Sequence, residues 1–219
     1  MAGVLSLWRT TVGKKIVMAV TGVIMIAFLI AHVGGNLLVF RGAGPLDAYS
    51  AFLQREVAAL WVVRTILLAS VVLHVVAAAQ LAAVDRAARR QRYARVEPQA
   101  ASIASRTMRI GGVVIAAFIV FHLLHLTTGT IRPARFEEAR VYDNLVGGFR
   151  VWWVVAIYLV SMIAIGLHLF HGAWSWLRTL GLARPSAAPL RRPVAAVVAI
   201  AVWAGFTSIP LAIFFGLVR

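Results

Sequence analysis

Cysteine is absent from the 219-residue chain, which excludes disulfides and thiolate-held metal centres and leaves the redox compartment unreadable. Charge is scarce as well. Asp, Glu, Lys and Arg make up 13% of the residues, against roughly 25% in an average soluble domain. Negative charge is scarcest of all: seven acids face 22 Lys and Arg, a formal net charge of +15. That balance would suggest nucleic acid in a soluble protein, but no aromatic–basic interleaving or nucleic-acid motif accompanies it. What the chain has is apolar residues, 62% of the total, with a mean hydropathy of +0.88. The composition reads as an integral membrane protein, in which basic residues crowd the short cytoplasmic loops.

Five apolar stretches, approximately 16–39, 58–84, 110–131, 151–177 and 194–217, are each long enough to cross a hydrocarbon layer of about 30 Å as a helix of about 20 residues. Helices satisfy their own backbone amides in lipid, and the alternation of a transmembrane barrel strand is missing. The first stretch starts after Lys14 and Lys15 and ends in HVGGNLLVF. It has no small-residue cleavage site, so it is expected to stay as a mature helix. No internal repeat or second soluble domain is visible. The expectation is an all-α, five-helix membrane bundle forming one domain over residues 1–219.

The connections predict orientation. The N-terminal segment (Arg9, Lys14, Lys15), the second loop (Arg86, Arg89, Arg90, Arg92, Arg95, Arg106, Arg109) and the fourth (Arg178, Arg184, Arg191, Arg192) carry 14 of the 22 basic residues. They carry only Asp85 and Glu97 of the acids. This places the N-terminus on the cytoplasmic side and the C-terminus outside.

All six histidines fall inside the predicted helices: His32, His74, His122, His125, His168 and His171. A single intramembrane histidine is commonly a hydrogen-bonded packing residue. Four helices each contributing one is different, because bundles build cofactor sites from facing helices. Counted at 1.5 Å per residue from the nearest inner charge, His32 lies roughly 25 Å up, His122 roughly 20 Å, and His74 and His168 roughly 15–16 Å. Two levels result: His32 with a histidine of the third helix, either His122 or His125, and His74 with His168. Two stacked bis-histidine sites are what two b-type haems require. Structural zinc, which takes four clustered ligands, fits less well. Gly34, Gly35, Gly111, Gly112, Gly166 and Gly172 flank the histidines; they make room for a macrocycle or for close helix packing.

GKKIVMAVTGVIMIAFLIAHVGGNL (13–37), SRTMRIGGVVIAAFIVFHLLHLTTG (105–129) and GLHLFHGAWSWLRTLG (166–181), in that order and with His74 between the first two, resemble the cytochrome b subunit of succinate dehydrogenase and fumarate reductase. The resemblance is to the five-helix, two-haem, menaquinone-linked type and covers nearly the whole chain. It implies a membrane anchor of complex II in a bacterial cytoplasmic membrane. The anchor would bind two haem b and menaquinone or another quinone, and dock a flavoprotein subunit and an iron–sulfur subunit, in a complex open to higher oligomers. The family's axial ligands fall on His32, His74, His122 and His168, with His32 and His122 on the outer haem and His74 and His168 on the inner one. The arginine thirteen residues before the third-helix ligand favours His122 over His125, and the closing glycine motif favours His168 over His171.

Around these ligands the residue types suggest further roles. Arg109, Arg178 and Lys14 suit inner haem propionates, and Arg41 or Arg132 outer ones, since guanidinium pairs bidentately with carboxylate; the simpler reading of each is an interfacial anchor. His125 and His171, at i+3 from their neighbours, share roughly the ligand face. A quinone site needs a proton-exchanging group beside an apolar slot. Asp47, Tyr49, Glu56 and His125 offer one outside, and Ser6, Trp8, Thr11 and Lys14 border one inside. No glycine-rich dinucleotide motif is present, so dicarboxylate and flavin chemistry are expected in the partner subunits.

The competing readings are a dihaem subunit of another quinone-linked enzyme, such as a formate dehydrogenase or hydrogenase, and a proton-coupled transporter with a histidine relay. The transporter reading would call for inverted repeats and broken helices.

Overall fold

The computed structural model describes residues 8–88, 103–131 and 133–219. Every regular element among them is helical. Helix α1 (Thr11–Asn36) runs into a 3₁₀ turn, Leu37–Arg41, and the short α2 (Ala43–Arg55) leads into α3 (Val57–Ala87). Helix α4 (Ile103–His122) continues through a π-helical turn, Leu123–Thr127. The short α5 (Val141–Phe149) precedes α6 (Trp152–Thr179), and a 3₁₀ turn, Pro185–Ala187, opens α7 (Ala188–Phe214). Five of these helices are long and apolar enough to span a membrane.

The ends of the spans follow local chemistry. Thr10 caps α1, its hydroxyl accepting the Gly13 N–H at 2.9 Å. Helices α6 and α7 close on glycines with positive φ, Gly181 (71°) and Gly216 (75°). In both, the following residue donates back five positions, Leu182 to Leu177 and Leu217 to Ala212, the double-bonded stop that glycine permits without Cβ strain.

Helices α2 and α5 lie together at the end of the bundle where the chain finishes. The Tyr142 hydroxyl donates to the Arg219 carbonyl there, at 2.9 Å. Much of the buried core comes from α6 and α7: Val154, Val155, Tyr158 and Met162 with Ile209, Ala212 and Ile213. Small residues let the helices close. A Cβ on Gly205 would lie 2.5 Å from Val33 Cγ2, and one on Gly166 3.3 Å from the Trp203 ring. Helix α3 buries little, only Ser70 and Ala77, and packs along α1.

That pattern splits the first four spans into two pairs, α1 with α3 and α4 with α6. Packed helices stand 8–10 Å apart. Among the described residues, α1 and α4 do not pack on one another beyond isolated contacts, and neither do α3 and α6. The pairs meet along α1 and α6.

Candidate functional site: two stacked imidazole pairs

Histidines stand between the helices that do not pack. At the level nearer the C-terminal end, His32 of α1 and His122 of α4 have ring centres 5.9 Å apart. At the other level, His74 of α3 and His168 of α6 are 6.2 Å apart. Each pair thus joins two helices that otherwise stand clear of one another. The vertical spacing can be read along three helices. On α1, eleven residues separate His32 from Thr21, the hydrogen-bond neighbour of His74. On α4, ten residues separate His122 from Gly112, which faces His168. On α6, ten separate His168 from Tyr158, the neighbour of His122. At 1.5 Å per residue all three give about 15 Å.

Each imidazole has a defined setting. His74 Nδ1 lies 3.1 Å from Thr21 Oγ1, and Thr21 also donates to the Val17 carbonyl at 2.7 Å. His122 Nδ1 lies 3.1 Å from the Tyr158 hydroxyl. His32 stacks on Phe28 with ring centres 5.0 Å apart and leans on Phe206, and the Asn36 amide lies 3.3 Å from its Nδ1. His168 Nδ1 is buried with no hydrogen-bond partner, as is His171 Nδ1. A buried polar atom left unpaired costs about 1–3 kcal/mol. Beside His168 an apolar cavity of about 190 Å³ opens between α4 and α6, lined by Thr107, Gly111, Val114, Val160 and Ala164 among others.

These observations test whether the residues suit a bis-imidazole haem. Neutral imidazole binds metal through one ring nitrogen at about 2 Å, so two imidazoles sharing one ion have ring centres about 6 Å apart; both pairs match. The Nδ1 contacts to Thr21 and Tyr158 engage one nitrogen of each ring, the arrangement seen where a second hydrogen bond fixes a ligand's tautomer. Gly22 and Gly112 face His74 and His168, where a Cβ would meet the rings at 3.6 and 3.8 Å, ordinary contact distances. The donor set and its spacing fit. No three His, Asp or Glu side chains converge on one point among the described residues.

The other sequence-derived residues are scattered. Arg109 pairs with Asp85 at 2.7 Å, both half-exposed. Arg178 and Arg192 both sit over the Trp174 ring, 5.9 and 5.2 Å from its centre, and Trp174 meets His171 edge-on. Arg41 is exposed and Lys14 half-buried. Asp47 accepts the Tyr142 N–H at 3.0 Å and so caps α5. Tyr49 lies flat on Gly35, where a Cβ would come within 2.5 Å of its ring, and Glu56 is exposed at the α2–α3 junction. These three do not gather around His125, which is buried against Tyr158, Phe121 and Phe149. Trp8 and Thr11 lie at the start of α1, Trp8 half-buried and Thr11 exposed. Ser6, Arg132 and the arginines at 89, 90, 92 and 95, with Glu97, fall outside the described residues.

Thr21, Asn36, Gly148 and above all Tyr158 were not anticipated. Tyr158 had a signal available: of the four tyrosines it alone lies within a predicted span. No protein-family model, curated protein or solved structure matches the chain.

Proposed function

We propose that the chain is the haem- and quinone-binding membrane anchor of a succinate:quinone oxidoreductase, passing electrons between an iron–sulfur subunit and menaquinone or a related quinone. The observation that carries the reading is the pair of imidazole couples, stacked about 15 Å apart, each spanning helices that do not otherwise pack. The resemblance of residues 13–37, 105–129 and 166–181 to the dihaem anchors gives the reading its specific partners.

His32 with His122, and His74 with His168, would hold two b-type haems. Such a group, when bound, supplies reversible one-electron chemistry at a potential set by its ligands and their hydrogen bonds. The chain's own residues do the rest. Neutral imidazoles hold iron without adding buried charge. Thr21 and Tyr158 orient two of the four rings, and the apolar walls formed by Phe28, Phe118 and Phe206 keep water from the upper pair. The excess of basic residues at the N-terminal end fits the cytoplasmic face, where the flavoprotein and iron–sulfur subunits would dock.

A reduced-minus-oxidised spectrum with haem quantification on the purified protein tests this. Two b-type haems per chain are expected, falling to one in His74→Ala and in His32→Ala. Co-purification of a flavoprotein and an iron–sulfur subunit would separate the succinate-linked reading from other dihaem anchors. A haem-free preparation from haem-replete cells would sink the redox reading.

A further inference from the structure

The Tyr158 hydroxyl lies 3.1 Å from Nδ1 of His122 and 3.1 Å from Nδ1 of His125. The three groups are enclosed. The Tyr158 ring is held edge-to-face by Phe149 and Phe118, with ring centres 4.7 and 5.0 Å away. His125 is 3% exposed and stacks on Phe121. The backbone leaves the α register between the two histidines, in the π turn Leu123–Thr127 that the Thr128 N–H closes onto the Leu123 carbonyl at 2.9 Å. Such turns gather at functional sites.

A phenol has one proton, and a neutral imidazole has one N–H. If both 3.1 Å contacts are hydrogen bonds, Tyr158 donates to one Nδ1 and accepts from the other. The two histidines must then hold opposite tautomers. We infer that Tyr158 is a positioning residue that locks His122 and His125 into complementary tautomers, engaging Nδ1 of each and leaving Nε2 of His122 for a ligand. The direction of the chain rests on the proposed function. With His122 Nε2 on iron, its Nδ1–H donates to the Tyr158 oxygen, and the Tyr158 O–H donates to His125 Nδ1. His125 is left with its proton on Nε2. That nitrogen faces α5 at Gly148, where a Cβ would stand only 2.6 Å away. Beside it is a small cavity of about 10 Å³, lined by Ile131, Ala134, Arg135, Asn144 and Gly148 among others, enough for one water.

Selective ¹⁵N-histidine labelling and solid-state NMR read the tautomers directly, with or without haem. The inference expects one of the two residues protonated at Nδ1 and the other at Nε2, assigned by single substitution, with the fixed pairing lost in Tyr158→Phe at His125, and at His122 too where no iron holds it. Identical tautomers, or a spectrum unchanged by Tyr158→Phe, would overturn it. In haem-loaded protein, Tyr158→Phe removes the acceptor that makes His122 a stronger donor to iron. The midpoint potential and low-spin signal of the His32/His122 haem should shift, the potential upward, while those of the His74/His168 haem stay in place. Equal movement of both, or of neither, would count against the inference. His125→Leu should give a smaller shift in the same direction, and His125→Asn, which keeps an acceptor near the Nδ1 position, should restore the wild-type value. A wild-type protein without haem defeats the proposed function, and the NMR result then decides the tautomer pairing on its own.

Discussion

Gly148 shows how tightly single residues are specified around the upper imidazole pair. A methyl group there would sit 2.6 Å from His125 Nε2 and 2.8 Å from Cε1. The ring cannot swing aside, because Phe121, Phe149 and Tyr158 surround it. Overpacking of this kind costs about 1–3 kcal/mol. Gly148→Ala is therefore expected to lower the thermal midpoint measured by tryptophan fluorescence in detergent, and to disturb the His125 resonances. Gly34→Ala is the matched control. Nothing lies within 4 Å of a Cβ at Gly34, so its effect should stay within about 0.5 kcal/mol. At this scale the sequence made the histidines legible, because imidazole in a long apolar run is costly without a partner. It did not make their partners legible. Tyr158 and Thr21 meet His122 and His74 across 36 and 53 residues of chain, and no period within one helix encodes such a meeting.

The long helices were the most legible elements, since span length is set by the membrane rather than by tertiary contacts. Their ends moved for identifiable reasons. The third span is already helical at Ile103, the first described residue there, rather than from near residue 110, its polar turns carrying Ser105, Arg106 and Arg109. It also stops at Thr127, before Gly129 turns the chain at φ 62°. The short α2 and α5 were missed, being polar or brief segments that helical propensity alone does not stabilise. Helix α5 is held by a distant residue: its own N-cap, Arg140, makes no side-chain cap, and Asp47 of α2 accepts the Tyr142 N–H instead. Asp47→Ala leaves that amide without its acceptor and removes a negative charge from a helix N-terminus. A loss of about 1 kcal/mol is expected, with faster hydrogen exchange confined to residues 141–149. Asp47→Asn retains an acceptor and should recover most of the loss. Exchange unaffected by Asp47→Ala would show that the cap adds nothing to α5.

Across the whole molecule, stability is unevenly shared. Helices α6 and α7 bury the main core, whereas α3 buries two residues and reaches α6 chiefly through His74 and His168. A group bound by that pair would act as a bridge, and a ligand that binds only the folded state at a hundred times its Kd adds about 2.7 kcal/mol. Its loss should therefore loosen the bundle locally rather than throughout. Hydrogen exchange on detergent-solubilised His74→Ala, compared with wild type, checks this. Amides of Val57–Ala87 are expected to exchange faster, by up to about 100-fold if exchange proceeds through local opening. Amides of Trp152–Thr179 and Ala188–Phe214 should keep their protection, because the contacts between α6 and α7 are untouched by the change. His32→Ala probes the other level, where α1 retains its packing on α3, α6 and α7; there the loss of any group bound by the upper pair should change exchange far less. Equal loosening in the two variants, or an α3 as well protected in His74→Ala as in wild type, would mean that the helix pairs are held together by their direct contacts and that nothing bridges α3 and α6 at His74.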